Sequence, residues 1–231
     1  HGISHRYVAR QAASLMHKPL KELKLITCHL GAGSSLCAVK DGKSFDTTMG
    51  FTPLTGVTMA TRSGDVDVEL VTYMMKKLNI TDPEEMISIL TRHAGLLGIS
   101  GVSSDMRDVI AAKDAGNKRA QIAVTLFVKN IVRYIGQYYA EMKGLDGIVF
   151  TAGIGENSDV IRKLVCDELK FMGVNLDDTL NSKGEEGFIT KPDSKIAALL
   201  VPTDEELMIS RDIEVIKLQE QKEIPSKKPL L

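Results

Sequence analysis

Two glycine-rich corners are the residues of this chain best suited to holding a polyanion. The stretch Phe150-Thr151-Ala152-Gly153-Ile154-Gly155-Glu156-Asn157-Ser158 follows the apolar run Gly147-Ile148-Val149-Phe150 and leads into a helical pattern from about Asn157. A buried strand that breaks on glycines into a helix start aims backbone N–H groups and the positive end of a helix dipole at one spot, which suits a phosphate. The stretch His29-Leu30-Gly31-Ala32-Gly33-Ser34-Ser35 repeats the arrangement after an earlier apolar run, and its serines add hydroxyl donors. Read alone, each corner is equally a tight connection in which glycine supplies positive φ. Gly153-Ile154-Gly155 also falls short of a full Gly-x-Gly-x-x-Gly fingerprint. Read together, the corners suggest a nucleotide held between them.

Other candidates surround the corners. Thr61-Arg62-Ser63-Gly64-Asp65 sets an arginine in a small polar loop. A guanidinium offers phosphate oxygens a planar fork of donors and keeps its charge; the plainer reading is a surface arginine paired with Asp65 or Asp67. His1 and His5 are spaced to share a helix face. A metal there would need a third ligand that the sequence does not show, so solvated or core histidines are the alternative. Asp105-Met106-Arg107-Asp108 opens a helix, with Asp105 either an N-cap or a contact to a ribose or base. Thr203-Asp204-Glu205-Glu206 opens another straight after a strand. It is either a capping box or a carboxylate at a strand's C-terminal end, where it could hold Mg²⁺ directly or through water.

The elements that must position these residues follow from pattern and turn chemistry. We expect a helix over 4–16 with a small-residue face, a strand over 24–30, and a hairpin of 34–40 with 43–48 around Asp41-Gly42. The region 50–64 reads as a loop, 67–78 as a helix, and 82–93 as a helix capped by Asp82 with Pro83 at its first position. Residues 95–104 read as a loop, 106–115 as a helix, and 118–143 as a long helix apolar on two sides. The strand 147–150 and helix 158–169 follow, then short strands at 171–174 and 196–201 and a closing helix over 204–218. Residues 177–193 read as an exposed loop and 219–231 as a flexible tail. An antiparallel meander followed by strand–helix crossovers is an α/β layered fold with a mixed sheet, not a purely parallel dinucleotide fold.

Composition narrows the function classes. The chain has 231 residues, a net charge of −1 and 26% charged residues, ordinary for a globular protein with a proper core. No Lys/Arg cluster marks a nucleic-acid surface; Lys227-Lys228 sits in the terminal tail. No apolar run reaches membrane-spanning length and no signal-peptide pattern opens the chain. Cys28, Cys37 and Cys166 lack the spacing of a zinc site or a disulfide framework, which suggests a reducing cytoplasmic setting.

Taken in order, His1-Gly2-Ile3-Ser4-His5, the His29–Ser35 corner, Met49-Gly50-Phe51-Thr52-Pro53-Leu54, Thr61–Asp65, Phe150–Asn157 and Pro202–Glu206 resemble the motif series of the acetate kinase family. The likeness runs from His1 to about Leu218. It implies a ribonuclease H-like domain of the actin/sugar-kinase/Hsp70 superfamily, with ATP in a cleft between two such domains. It also implies Mg²⁺-dependent, reversible transfer of the γ-phosphoryl group to acetate, giving acetyl phosphate and ADP, and a homodimer formed through this domain. By the resemblance, His1 and Arg62 stabilise the transferring phosphoryl. His29, Leu30, Gly31, Ala32 and Gly33 contact phosphates. Asp105, Met106, Arg107, Gly153, Ile154, Gly155, Glu156 and Asn157 contact the nucleotide. Glu205 binds the magnesium, with Glu206 not distinguished from it.

Two departures stand out: Ala32 where the family usually has asparagine, and Val68 after Asp67 where it usually has proline. The family's N-terminal half, with its carboxylate-binding arginine and catalytic aspartate, is not in this sequence. The chain therefore reads as a C-terminal, ATP-binding half, expected to bind nucleotide weakly and to turn over little alone. Propionate kinase shares most of the motifs. A non-catalytic switch in the manner of actin or Hsp70 shares the fold but not the arginine motif. All of it requires Arg62 to lie on the same side of the molecule as Gly31 and Gly153.

Overall fold

The computed structural model of the chain describes the backbone of residues 1–223 and the side chains of residues 1–219. The tail beyond residue 223, including Lys227-Lys228, lies outside the described residues. Helix α1 (Gly2–Leu15) leads into β1 (Leu25–Leu30), and β2 (Ser34–Lys40) and β3 (Lys43–Thr47) complete the meander. A long loop precedes α2 (Val68–Leu78), α3 (Pro83–Arg92), α4 (Gly95–Ser100), α5 (Met106–Asp114) and α6 (Lys118–Met142). The second part holds β4 (Gly147–Thr151), α7 (Ala152–Asn157), α8 (Asp159–Glu168), α9 (Asp178–Lys183), β5 (Gly187–Phe188), β6 (Ala197–Leu200) and α10 (Glu205–Glu223).

Among the described residues the strands form one sheet of order β3-β2-β1-β4-β6-β5. β1 pairs antiparallel with β2 and parallel with β4, β4 pairs parallel with β6, and β5 is antiparallel to β6. This mixed α/β sheet with flanking helices is the ribonuclease H-like order expected from the resemblance. β1 and β4 are buried along their whole length, as central strands covered on both faces must be.

Strand alternation deals side chains to two cores. Ile26, Cys28, Leu30, Ile148 and Phe150 join Phe127, Ile131 and Ile135 of α6 and Val165 of α8 on one face. Leu25, Val149 and Leu199 join Val8, Ala9, Ala12 and Ala13 of α1 on the other, where alanines let the helix lie close to the sheet.

Local signals match closely where chemistry is short-range. Asp41 and Gly42 both have positive φ (54° and 75°), as a two-residue turn of mirror-image type requires. Asp67, Asp82 and Asp105 each accept the N–H two residues on and start their helices.

Elsewhere the structure corrects the reading. Residues 95–100 form α4 instead of a loop, because burying Leu96 against the α6 layer supplies packing that a six-residue helix lacks by itself. Residues 171–174 are not a strand: Lys170–Met172 is a 3₁₀ turn, and only Val174 bridges to Ile196. The stretch read as an exposed loop contains α9, capped by Asp177, and the edge strand β5. The apolar positions of α6 are split: Ile131 and Ile135 are buried, whereas Ile122, Leu126 and Tyr139 face out. The closing helix continues past Leu218 to Glu223, and its cap is Asp204, which accepts from Leu207 N, not a Thr203–Glu206 box.

Candidate active site

The two glycine corners meet because β1 and β4 are parallel neighbours in register, His29 opposite Thr151. Their C-terminal ends therefore emerge side by side. The first corner is closed by Gly31 N donating to Gly33 O at 3.1 Å and by the Ser34 hydroxyl donating to Gly31 O at 3.1 Å. A Cβ built on Gly31 would lie 3.7 Å from the Ala152 Cβ and 3.9 Å from Gly153 N. The second corner is not a glycine turn but the short helix α7. It begins at Ala152, a non-glycine residue with φ 64°.

Facing these corners is the N-terminus of α5. A cleft of about 720 Å³ is bounded by Gly31, Ala32, Gly153, Ile154 and Asn157 on one side and by Asp105, Met106 and Arg107 on the other. Asp105 accepts Arg107 N at 2.8 Å and pairs with its guanidinium at 2.6 Å. These bonds pull the Asp105 carboxyl down to about 2, so it is ionised throughout the physiological range. The Arg107 side chain is 89% exposed at the cleft mouth. The Met106 side chain is buried in the core.

The remaining nucleotide candidates point elsewhere. Leu30 is a core residue. Gly155 packs toward Phe150, Cys28 and Leu30. The Glu156 carboxylate turns inward, where one oxygen accepts Ala152 N at 2.7 Å, the Thr151 hydroxyl at 3.3 Å and Thr203 N at 3.1 Å. Glu156 thereby ties the ends of β4 and β6 together. It also brings the start of α10, with exposed Glu205 and Glu206 in its first turn, beside the α7 corner.

Arg62 sits on the same side. Its loop is fastened to the first corner by Ala60 N donating to Ala32 O at 3.2 Å. It is fastened to α3 and α4 by Ser63 N to Leu90 O, Leu96 N to Met59 O and Leu97 N to Ala60 O. Gly95 has φ 60°, and a Cβ there would stand 2.3 Å from Met59 O, so only glycine fits this crossing. The expected pairing of Arg62 with Asp65 or Asp67 does not form. Asp65 is taken by Gly56 N, by Arg133 at 3.1 Å and by the Tyr134 hydroxyl at 2.5 Å. Asp67 is taken as the α2 cap. The Arg62 guanidinium donates only to Pro53 O at 3.2 Å and touches the Met59 sulfur, with no carboxylate partner among the described residues.

His1 and His5 do share a face of α1, and they meet His29 of β1. The His1 and His29 rings stack at 3.9 Å. Ser35 bridges His1 Nδ1 (2.7 Å) and His5 Nε2 (2.8 Å). His5 Nδ1 shares a hydrogen bond with Thr27 at 2.7 Å. His29 reaches Ser4 at 2.8 Å, and Ser4 reaches Thr203 at 2.8 Å. Burial pushes His5 down to about 3 and His29 down to about 4, so both are neutral near pH 7. The cluster is a hydroxyl–imidazole network, and no group of three or more metal-ligating side chains occurs among the described residues. In sequence Ser35 reads as a hydroxyl donor to phosphate and Thr203 as a helix cap, and nothing marks Ser4 or Thr27 as a histidine partner. Thr27 and His29 on β1, facing Ser35 on β2, share one period-2 face, which is the pattern that carries them.

No helix among the described residues is long and apolar enough to cross a membrane. A model of the acetokinase family matches residues 1–211. The chain is 57% identical over 217 residues to acetate kinase of Fructilactobacillus sanfranciscensis, covering 94% of this chain and 54% of that protein. The crystal structure of Porphyromonas gingivalis acetate kinase superposes with a TM-score of 0.90 at 41% identity, over 94% of this chain and 54% of that one. A propionate kinase from Francisella tularensis superposes with a TM-score of 0.85 at 39% identity, over 92% of this chain and 54% of that one. The chain thus spans about half the length of the relatives it matches.

Proposed function

The chain belongs to the acetokinase family, and from that premise we propose that it is the ATP-binding half, C-terminal in the family's order, of an enzyme that reversibly phosphorylates acetate to acetyl phosphate. One observation carries the reading. The Gly31–Gly33 corner, the Gly153 corner, His1 and a guanidinium with no carboxylate partner among the described residues converge on one edge of the sheet. Phosphoryl transfer asks a protein chiefly for positioning and charge neutralisation.

In this reading the polyphosphate of ATP or ADP lies along the Gly31–Gly33 and Gly153 backbones, and the nucleoside occupies the 720 Å³ cleft beside Asp105 and Arg107. Arg62 presents its fork to the equatorial oxygens of the transferring group, and His1 donates to the same group when protonated. Ala32 offers no side-chain donor, so this corner binds through backbone N–H groups. Glu205 fits a Mg²⁺ ion of the kind that takes one protein carboxylate and completes its shell with water and phosphate. Bound there, the ion would neutralise charge on the phosphates.

Acetate is the favoured acceptor and propionate the alternative. The proposal includes a cytoplasmic setting and a homodimer that covers exposed apolar side chains such as Leu70, Tyr73 and Ile122. The test is ADP binding by the 231-residue chain, together with hydroxamate formation from acetate or propionate by a full-length family protein carrying this sequence. Measurable ADP affinity with negligible turnover by the chain alone is expected. Absence of ADP binding, or robust turnover by the chain alone, defeats the assignment.

A further inference from the structure

Among the described residues Arg162 of α8 is the largest side chain that is fully buried, at 1% exposure. No carboxylate pairs with it among the described residues, and burial draws its pKa below the ordinary value. All four of its hydrogen bonds go to neutral oxygens. Nη1 donates to Gly155 O at 2.9 Å and Glu156 O at 2.7 Å. Nε donates to Asn181 Oδ1 at 2.8 Å and Nη2 to Asn181 O at 2.7 Å. Asn181 is itself buried, and its amide donates to Asp159 O at 2.9 Å.

A buried cation without a counter-ion is costly, and a hydrophobic side chain of similar volume would serve packing better. What Arg162 does instead is grip the last carbonyls of α7, where the partial negative charge of a helix end accumulates. α7 has six residues and starts at a positive-φ alanine, so it cannot hold itself in place. Glu156 pins its first residue and Arg162 its last turn. Gly153 and Ile154 between these two fastenings, and Asn157 just past them, line the cleft. Asn181 lies on α9, in the stretch the sequence pattern marked as loop, which gives that stretch a task.

We propose that Arg162, braced by Asn181, is a positioning residue for nucleotide: it sets the height of α7 against the end of β4 and thereby places Gly153 N and Asn157 at the cleft wall. This rests on the nucleotide reading of the cleft. The test is titration of the 231-residue chain with ADP by calorimetry, comparing wild type, R162K, N181A and the core control V165A on the same helix. Circular dichroism at the working temperature establishes folding.

We expect R162K and N181A to weaken ADP binding on the order of tenfold, as misplaced binding groups do, and V165A to lower Tm without changing Kd. In the wild-type chain the ¹⁵N–¹H signal of Arg162 Nε should move with the α7 amides on ADP titration. Unchanged Kd in a folded R162K or N181A overturns the inference. So does equal weakening by V165A, or an unmoved Arg162 signal, which needs no variant to fold. Failure of wild type to bind ADP instead removes the nucleotide reading itself.

Discussion

His1 and Arg62 meet over Gly33: a Cβ built on that glycine would stand 3.2 Å from His1 Nε2 and 3.5 Å from Arg62 Nη1. The two side chains come from distant parts of the chain, one from the start of α1 and one from the loop before α2. They are brought to one glycine by separate hydrogen-bond sets, Ser35 for His1 and the Ala60–Ala32 tie for the arginine loop.

Gly33 and Gly95 should respond oppositely to alanine. The Gly33 neighbours are side-chain ends and its φ lies outside the positive region, so G33A should leave the unfolding free energy within about 1 kcal/mol of wild type while reducing phosphoryl transfer. Gly95 meets backbone oxygens at positive φ, so G95A should cost roughly 2–4 kcal/mol in urea unfolding. Equal stability of the two variants contradicts this packing.

The Arg62 side chain contributes little to the fold, since among the described residues its only conventional hydrogen bond is to Pro53 O. R62A in a full-length protein should lower kcat about 10²–10³-fold with Tm nearly unchanged, the size expected when a preorganised transition-state donor is removed. A non-catalytic nucleotide switch would lose little ATPase on the same change. Steady-state kinetics beside a melting curve separates the two.

The histidine network predicts an acid sensitivity with a definite sign. An unfolded His5 takes up a proton near pH 6.5, whereas the buried His5 resists protonation until about 3. Between those values the unfolded state binds more protons, so stability is lost as pH falls through that window and is flat above it. From pH 7 to 5 this amounts to roughly 2 kcal/mol for His5, with His29 acting in the same direction. Urea midpoints at pH 5, 6 and 7 read the slope, and H5Q should flatten it.

Restoring an asparagine at the first corner should strengthen nucleotide binding. Ala32 already uses its carbonyl to hold Ala60, so A32N adds a side-chain donor beside the cleft without disturbing that bond. A charge-assisted hydrogen bond of about 1.5 kcal/mol corresponds to roughly a tenfold lower Kd for ADP. Calorimetry showing unchanged or weaker affinity would indicate that phosphate does not lie against Ala32.

What this sequence determines unaided is what a few adjacent residues decide. The Asp41-Gly42 hairpin, the aspartate caps of α3 and α5, the apolar strands β1 and β4 and the ordered motif series are all legible, because turn chemistry, capping and side-chain period act over one or two turns of chain. Folding alone decided which groups remain free to act. Arg62 has no carboxylate among the described residues because Arg133 and Tyr134, from a helix far along the chain, claim Asp65. Glu156 looks like a ligand in sequence, yet it faces inward because three donors wait there. The helices α4, α7 and α9 are too short to be stable through local hydrogen bonds, so Leu96, Glu156, Arg162 and Asn181 had to find their tertiary partners before those segments had a shape.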